Sequence, residues 1–101
     1  MKKILLCCSA GMSTSMLVQR MEKAAQARGL ECKIEAHPVS SFEQTIQEFD
    51  VCLLGPQVRF QLDSLRDSAA QYGKKVDAIS PMAYGMMKGE DVLDQALSLI
   101  S

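Results

Sequence analysis

Ile4-Leu5-Leu6-Cys7-Cys8-Ser9-Ala10-Gly11-Met12-Ser13-Thr14-Ser15-Met16-Leu17 is the stretch that decides the fold of this 101-residue chain. Lys3–Cys7 is an apolar run too short for a helix and unbroken by the polar alternation of a half-exposed strand. It reads as a strand buried on both faces, the kind found inside parallel sheets. Residues 9–15 are small and polar and read as a loop. From Thr14 onward Met16, Leu17, Arg20, Met21, Ala24, Ala25 and Ala27 recur at helical spacing. Gly29 stands where a helix ends in the left-handed conformation. The opening unit is therefore strand, tight turn, helix.

The same alternation continues outward. Cys32–Ala36 reads as a second strand, and His37-Pro38-Val39-Ser40 as a break, since proline lacks a backbone donor. Ser40-x-x-Glu43 and Ser41-x-x-Gln44 both match a capping box for a short helix reaching about Glu48. Val51–Leu54 reads as a third strand, and Gly55-Pro56-Gln57 as a loop. Residues 60–72 read as a helix with Phe60, Leu62, Leu65 and Ala69 inward, closed by Gly73. Val76–Ile79 is a fourth strand, 80–85 a loop, and Glu90–Ile100 a last helix with Val92, Leu93, Ala96, Leu97 and Ile100 inward. Strands alternating with helices predict an α/β fold: a four-stranded parallel sheet flanked by helices on both faces. No linker or repeat divides the chain, so residues 1–101 are expected to form a single domain. Ligands of such sheets bind beyond the carboxyl ends of the strands. Four loops are expected there: 8–15, 37–41, 55–58 and 80–85.

Composition excludes several classes of function. Net charge is -1, which gives no basic surface for nucleic acid. The aromatics are three Phe and two Tyr, scattered without a base-stacking pattern. No apolar run approaches the roughly 20 residues of a membrane span, so no membrane insertion is expected. The apolar run behind Lys2-Lys3 is too short for a secretion signal. Cysteines stand at 7, 8, 32 and 52, with no Cys-x-x-Cys pair and a single histidine, His37. No metal site is expected from that pattern, no cofactor is implied, and a reducing cytoplasmic setting fits it. Cys7 and Cys8 are neighbours on a strand and so point to opposite faces, which makes them poor disulfide partners.

The loop after the first strand carries chemistry. Gly11 and the small residues let the backbone curl, and a curl at a helix N-terminus aims several N–H groups at one point. An anion should bind in that cup. A cup that favours anions also favours a thiolate at Cys8, and the thiolate is the nucleophile. The loop has neither the Gly-x-Gly-x-x-Gly pattern of dinucleotide sites nor the Gly-Lys-Ser/Thr of nucleotide P-loops.

Cys8-Ser9-Ala10-Gly11-Met12-Ser13-Thr14-Ser15 directly after the first strand resembles the phosphocysteine loop of the enzyme IIB component of the bacterial phosphotransferase system, lactose/cellobiose (diacetylchitobiose) family. Leu53-Leu54-Gly55-Pro56-Gln57-Val58 and Tyr84-Gly85 resemble that family's loops after its third and fourth strands. The likeness runs through the whole chain. It implies a fold similar to low-molecular-weight tyrosine phosphatase and a catalytic Cys8 that carries a phosphoryl group. It implies phosphate contacts from Ser9, Ala10, Gly11, Met12, Ser13, Thr14 and Ser15. The donor would be a phosphohistidine on enzyme IIA. The acceptor would be a cellobiose-like β-disaccharide held by membrane enzyme IIC. The chain would then work as a cytoplasmic monomer, transiently at the inner face of the membrane.

The nearest rival chemistry is a phosphatase or arsenate reductase with a similarly placed cysteine loop. Those enzymes need arginine at the sixth position after the cysteine, where this chain has Thr14. Arginine would clamp the equatorial phosphoryl oxygens, and residues 80–85 offer no carboxylate as general acid. Slow hydrolysis of a phosphocysteine suits a carrier. Gln57, Arg59 and Tyr84 are candidate auxiliary or partner contacts. His37 reads as a polar residue at a strand end, with an electrostatic influence on Cys8 as the alternative, since its loop leads out beside the cysteine loop. Met12 and the methionines of 82–87 are candidate docking surface, and Cys32 and Cys52 read as structural thiols.

Overall fold

The structure is a computed structural model that describes residues 1–8 and 12–100, with the side chains of Met12 and Ser13 outside the description. Four strands, β1 (Lys2–Cys8), β2 (Cys32–Pro38), β3 (Val51–Leu54) and β4 (Lys75–Ala78), form one parallel sheet in the order β2-β1-β3-β4. The helices are α1 (Met12–Ala27), α2 (Phe42–Thr45), α3 (Leu62–Ala70), α4 (Pro81–Gly85) and α5 (Gly89–Ile100).

β1 and β3 are the two inner strands, which is why their sequences are apolar without alternation. Strand alternation divides their side chains between two layers. Ile4, Leu6, Val51 and Leu53 pack with Leu17, Val18 and Met21 of α1 and Val92, Leu93 and Ala96 of α5. Leu5, Cys7, Cys52 and Leu54 pack with Phe42, Ile46, Phe49, Leu65 and Ala69 on the other face. The expected α/β architecture, helices on both faces of a parallel sheet, is what the chain adopts. The order reverses direction between β1 and β3. That crevice is the topological switch point, where ligands of open α/β sheets bind.

Several elements differ from expectation, each for a local reason. α1 begins at Met12, so Ser13, Thr14 and Ser15 stand in its first turn and not in a loop. On that helix Met16, Arg20 and Ala27 face outward, and Val18 joins the buried side. β2 runs through His37 to Pro38; it is an edge strand, where proline forfeits no ladder bond at the strand's end. The capping box at Ser40 and Ser41 does not form. 3-10 turns at Val39–Ser41 and Ile46–Glu48 flank α2, with no side-chain cap bond at any of the three starts. Burial of Phe42, Ile46 and Phe49 holds this segment instead. Pro56–Gln61 forms a 3-10 turn, kinked at Val58, and α3 starts only at Leu62. The kink buries Val58 and turns Phe60 out to 83% exposure. Residues 81–85 are helical: Ser80 caps α4 by accepting from the Ala83 N–H, and Pro81 fits the first turn. β4 spans Lys75–Ala78, one residue earlier than expected at each end, and α5 begins at Gly89.

Candidate functional site

Cys8 is the last residue of β1 and is 2% exposed. Alternation places it on the face of Ile4 and Leu6, beneath α1, while Cys7 belongs to the opposite layer. β3 stops one residue short of it: Cys7 pairs with Leu54, and Gly55 then turns away, its N–H donating to the Cys7 carbonyl at 2.8 Å. α1 begins at Met12, four positions after Cys8. The positive end of its helix dipole is therefore close in sequence to the end of β1.

The expected cradle falls partly on Ser9, Ala10 and Gly11, which lie outside the described residues, as do the side chains of Met12 and Ser13. Thr14 is fully buried, and its hydroxyl lies 3.3 Å from the Tyr84 hydroxyl across 70 residues of chain. Ser15 is exposed on the first turn of α1. Tyr84, 7% exposed, extends from α4 across the switch-point crevice. A methyl group added at Gly55 would stand 3.5 Å from the Tyr84 ring and 2.7 Å from the Gln57 Oε1. Glycine there permits the close approach of β3's exit to the ring. Gly55, Gln57, Tyr84 and Thr14 thus converge at the carboxyl ends of β1 and β3.

Arg59 is not part of that group. It is exposed and lines a groove of about 450 Å³ with Leu62, Asp77, Ser80 and Gln95 at the β4 edge. His37 faces the other side of the sheet. Its Nε2 is 2.9 Å from Glu35 Oε1, and its ring meets Phe49 edge-on at 6.3 Å. Because Phe49 belongs to the layer opposite Cys8, His37 is a polar residue at the strand end with local contacts, and the alternative of an influence on Cys8 finds no support in this placement. The hydrogen bond from His37 holds the Glu35 carboxyl below its ordinary range, with Lys33 helping. Among the described residues no three His, Cys, Asp or Glu side chains gather as a metal ligand set, and no helix is long and apolar enough to cross a membrane.

Cys52 lies under this site in the layer of Cys7. Burial pushes its thiol well above the ordinary value, and a hydrogen bond with Cys7 adds to the shift. It stays a neutral packing group, as the sequence suggested. Sequence reasoning singled out both Tyr84 and Thr14 but not the contact between them, nor Gly55 as the point of close approach. A glycine directly after an apolar strand was the available signal.

Comparison with known proteins bears on this geometry. Residues 3–95 match the family described as "PTS system, Lactose/Cellobiose specific IIB subunit". The oligo-beta-mannoside-specific EIIB component of Bacillus subtilis is 45% identical over 100 residues, spanning 99% of this chain and 97% of that protein. The cellobiose-specific EIIB component of Lactococcus lactis subsp. lactis is 39% identical over 105 residues, with the same coverage. The galactose-specific EIIB component of Lactococcus lactis subsp. cremoris is also 39% identical. The solution structure of a cellobiose-specific IIB protein from Borrelia burgdorferi superposes with a TM-score of 0.81 at 41% identity, covering 98% of this chain and 91% of that one. The lactose-specific IIB domain of Streptococcus pneumoniae shares the fold, with a TM-score of 0.89 at 18% identity over 99% and 98% of the two chains.

Proposed function

Because this chain belongs to the lactose/cellobiose-specific IIB family of the sugar phosphotransferase system, we propose that it carries a phosphoryl group on Cys8 between two partner proteins. The observation that carries the reading is the position of Cys8: the last residue of an inner strand, at the switch point, shortly before the start of α1.

The Cys8 thiolate attacks the phosphorus of a phosphohistidine on enzyme IIA. The S–P bond forms as the N–P bond breaks, and the imidazole leaves with the electron pair. In the second step a hydroxyl of a sugar held by enzyme IIC attacks the same phosphorus. The O–P bond forms, the thiolate leaves, and the hydroxyl proton passes to a base. Backbone amides of Ser9, Ala10, Gly11, Met12, Ser13, Thr14 and Ser15 receive the phosphoryl oxygens, and the dipole of α1 favours their charge. The Thr14 hydroxyl is already engaged by Tyr84, so its contribution is its amide. Neither step needs a metal or a cofactor. Residues 1–101 act as one unit, a cytoplasmic monomer that meets the inner face of the membrane only through enzyme IIC. Gln57, at the switch point, and Arg59, on the groove beside it, are partner contacts.

The relatives' names differ in their sugars, from oligo-beta-mannoside to galactose and cellobiose. We assign this chain a β-linked disaccharide of the cellobiose kind, with the choice exercised by enzyme IIC. Hydrolysis in place of transfer is disfavoured by Thr14. A buried hydroxyl stands where a phosphatase needs the permanent charge and bidentate fork of arginine.

Reconstitution tests the proposal. Membranes containing the matching enzyme IIC, supplied with phosphoenolpyruvate, the general phosphotransferase proteins and enzyme IIA, should phosphorylate the sugar when the wild-type chain is added. They should not do so with Cys8→Ser. Equal restoration by that variant, or brisk hydrolysis of an aryl phosphate by the wild type, would overturn the carrier reading.

A further inference from the structure

We infer that Tyr84 and Thr14 form a positioning pair: Tyr84 holds the first turn of α1 through the Thr14 hydroxyl and does not itself touch the phosphoryl group. The inference rests on the carrier reading of Cys8 and deepens it.

Four observations support it. Thr14 stands at the third residue of α1 and is 0% exposed, so its hydroxyl is removed from water at the turn whose amides face the site. A buried hydroxyl without a partner is costly, and the Tyr84 hydroxyl lies 3.3 Å away. Tyr84 is itself anchored. Its ring packs in the crevice over Gly55, whose N–H is bonded to the Cys7 carbonyl, so the ring is referenced to the strand that ends in Cys8. The segment after Tyr84 is fixed against α1 as well. Met87 takes a φ of 53°, Lys88 N–H returns to the Ala83 carbonyl, and Gly89 lies so close to Arg20 that a Cβ there would come within 2.5 Å of the Arg20 backbone. Tyr84 therefore joins two reference points, the end of β1 and the start of α1. Those are the two elements whose relative placement sets the distance from nucleophile to cradle. A misplacement of such groups is felt strongly in rate.

A double-mutant cycle tests it. Tyr84→Phe and Thr14→Val each remove one hydroxyl while keeping shape, and circular dichroism melts confirm that each variant is folded. Single-turnover transfer from phosphorylated enzyme IIA is followed against donor concentration. Each single variant should lower the maximal rate roughly 3- to 10-fold, the worth of one hydrogen bond, with half-saturating donor concentration unchanged. The double variant should be no slower than the slower single. Thr14→Ser, which keeps the hydroxyl, should recover most of the loss. A multiplicative double variant would overturn the inference, because Tyr84 would then act directly on the phosphoryl group. So would wild-type rates in both singles, or a raised half-saturation with unchanged maximal rate, which would make Tyr84 a docking residue. If the wild-type chain accepts no phosphoryl group, the carrier reading falls separately. The amide shifts of residues 12–15 then decide the pair: matching displacements in the two singles support it, and unmoved amides overturn it.

Discussion

Cys7 and Cys8 are one peptide bond apart and inhabit different halves of the molecule. Cys7 lies in the layer of Phe42, Ile46, Phe49 and Leu65, a free thiol hydrogen-bonded with the Cys52 thiol and 0% exposed. Cys8 lies on the α1 side at the last position of β1, where the sheet gives way to a helix N-terminus. Both thiols are nearly inaccessible, so exposure does not separate them. Their surroundings do. The Cys7 layer is closed by apolar side chains and treats its thiols as small hydrophobes. The Cys8 side holds the buried Thr14–Tyr84 hydroxyl pair at the start of α1. Strand alternation and strand length together separate two identical residues, and the proposed nucleophile is the one at the strand's end.

Substitutions can break this contrast. The largest effect is expected at the pair itself. Cys8→Ser should abolish phosphoryl acceptance with an unchanged fold. Cys7→Ser should accept normally yet lose about 1–3 kcal/mol of stability, because a hydroxyl enters an apolar layer. Chemical denaturation and a transfer assay on the same two samples would show whether the roles exchange. A stability loss on the Cys8 side is next. Gly89→Ala drives a Cβ to 2.5 Å from the Arg20 backbone and should cost about 1–3 kcal/mol by overpacking α5 against α1. An unmoved denaturation midpoint would show that this helix contact is looser than described.

The Cys7 layer also makes a pH prediction. The Cys52 thiol is raised above its ordinary 9.0 by burial. The unfolded chain therefore releases this proton first. The stability contribution is full below 9.0 and declines as pH rises above it toward the raised folded value. Unfolding free energy measured across that range should fall less steeply in Cys52→Ala, and parallel slopes would refute the assignment. The smallest effect belongs to Glu35 on the exposed edge. Its carboxyl is lowered from 4.5 chiefly by the hydrogen bond from His37, so its contribution holds above 4.5 and fades as pH falls through the lowered value. A carboxyl titration followed by NMR should move back up in His37→Ala, while transfer by Cys8 stays unchanged because His37 lies on the opposite face.

Much of the architecture was legible because β1 and β3 carry unbroken apolar runs that only a doubly covered sheet requires. The proposal of Cys8 as nucleophile rests on the same signal: the run ends in a cysteine followed by small residues and a helix. What escaped was set by contacts rather than by period. α4 has five residues, too few to show helical spacing, although Ser80 and Pro81 mark its start. Phe60 looked like core, but the kink at Val58 gives the buried place to Val58. The bond between Thr14 and Tyr84 joins residues 70 apart, and no local pattern announces it.

The central claim is that the phosphoryl group resides on Cys8 and not on its neighbour. The most direct measurement is intact mass after incubation with phosphoenolpyruvate, the general phosphotransferase proteins and a cognate enzyme IIA, followed by peptide mapping at neutral pH. A carrier working through Cys8 should gain a single phosphoryl group, mapped to Cys8 and absent from Cys8→Ser. A phosphoryl group on Cys7 or on any other residue, persisting in Cys8→Ser, would contradict it.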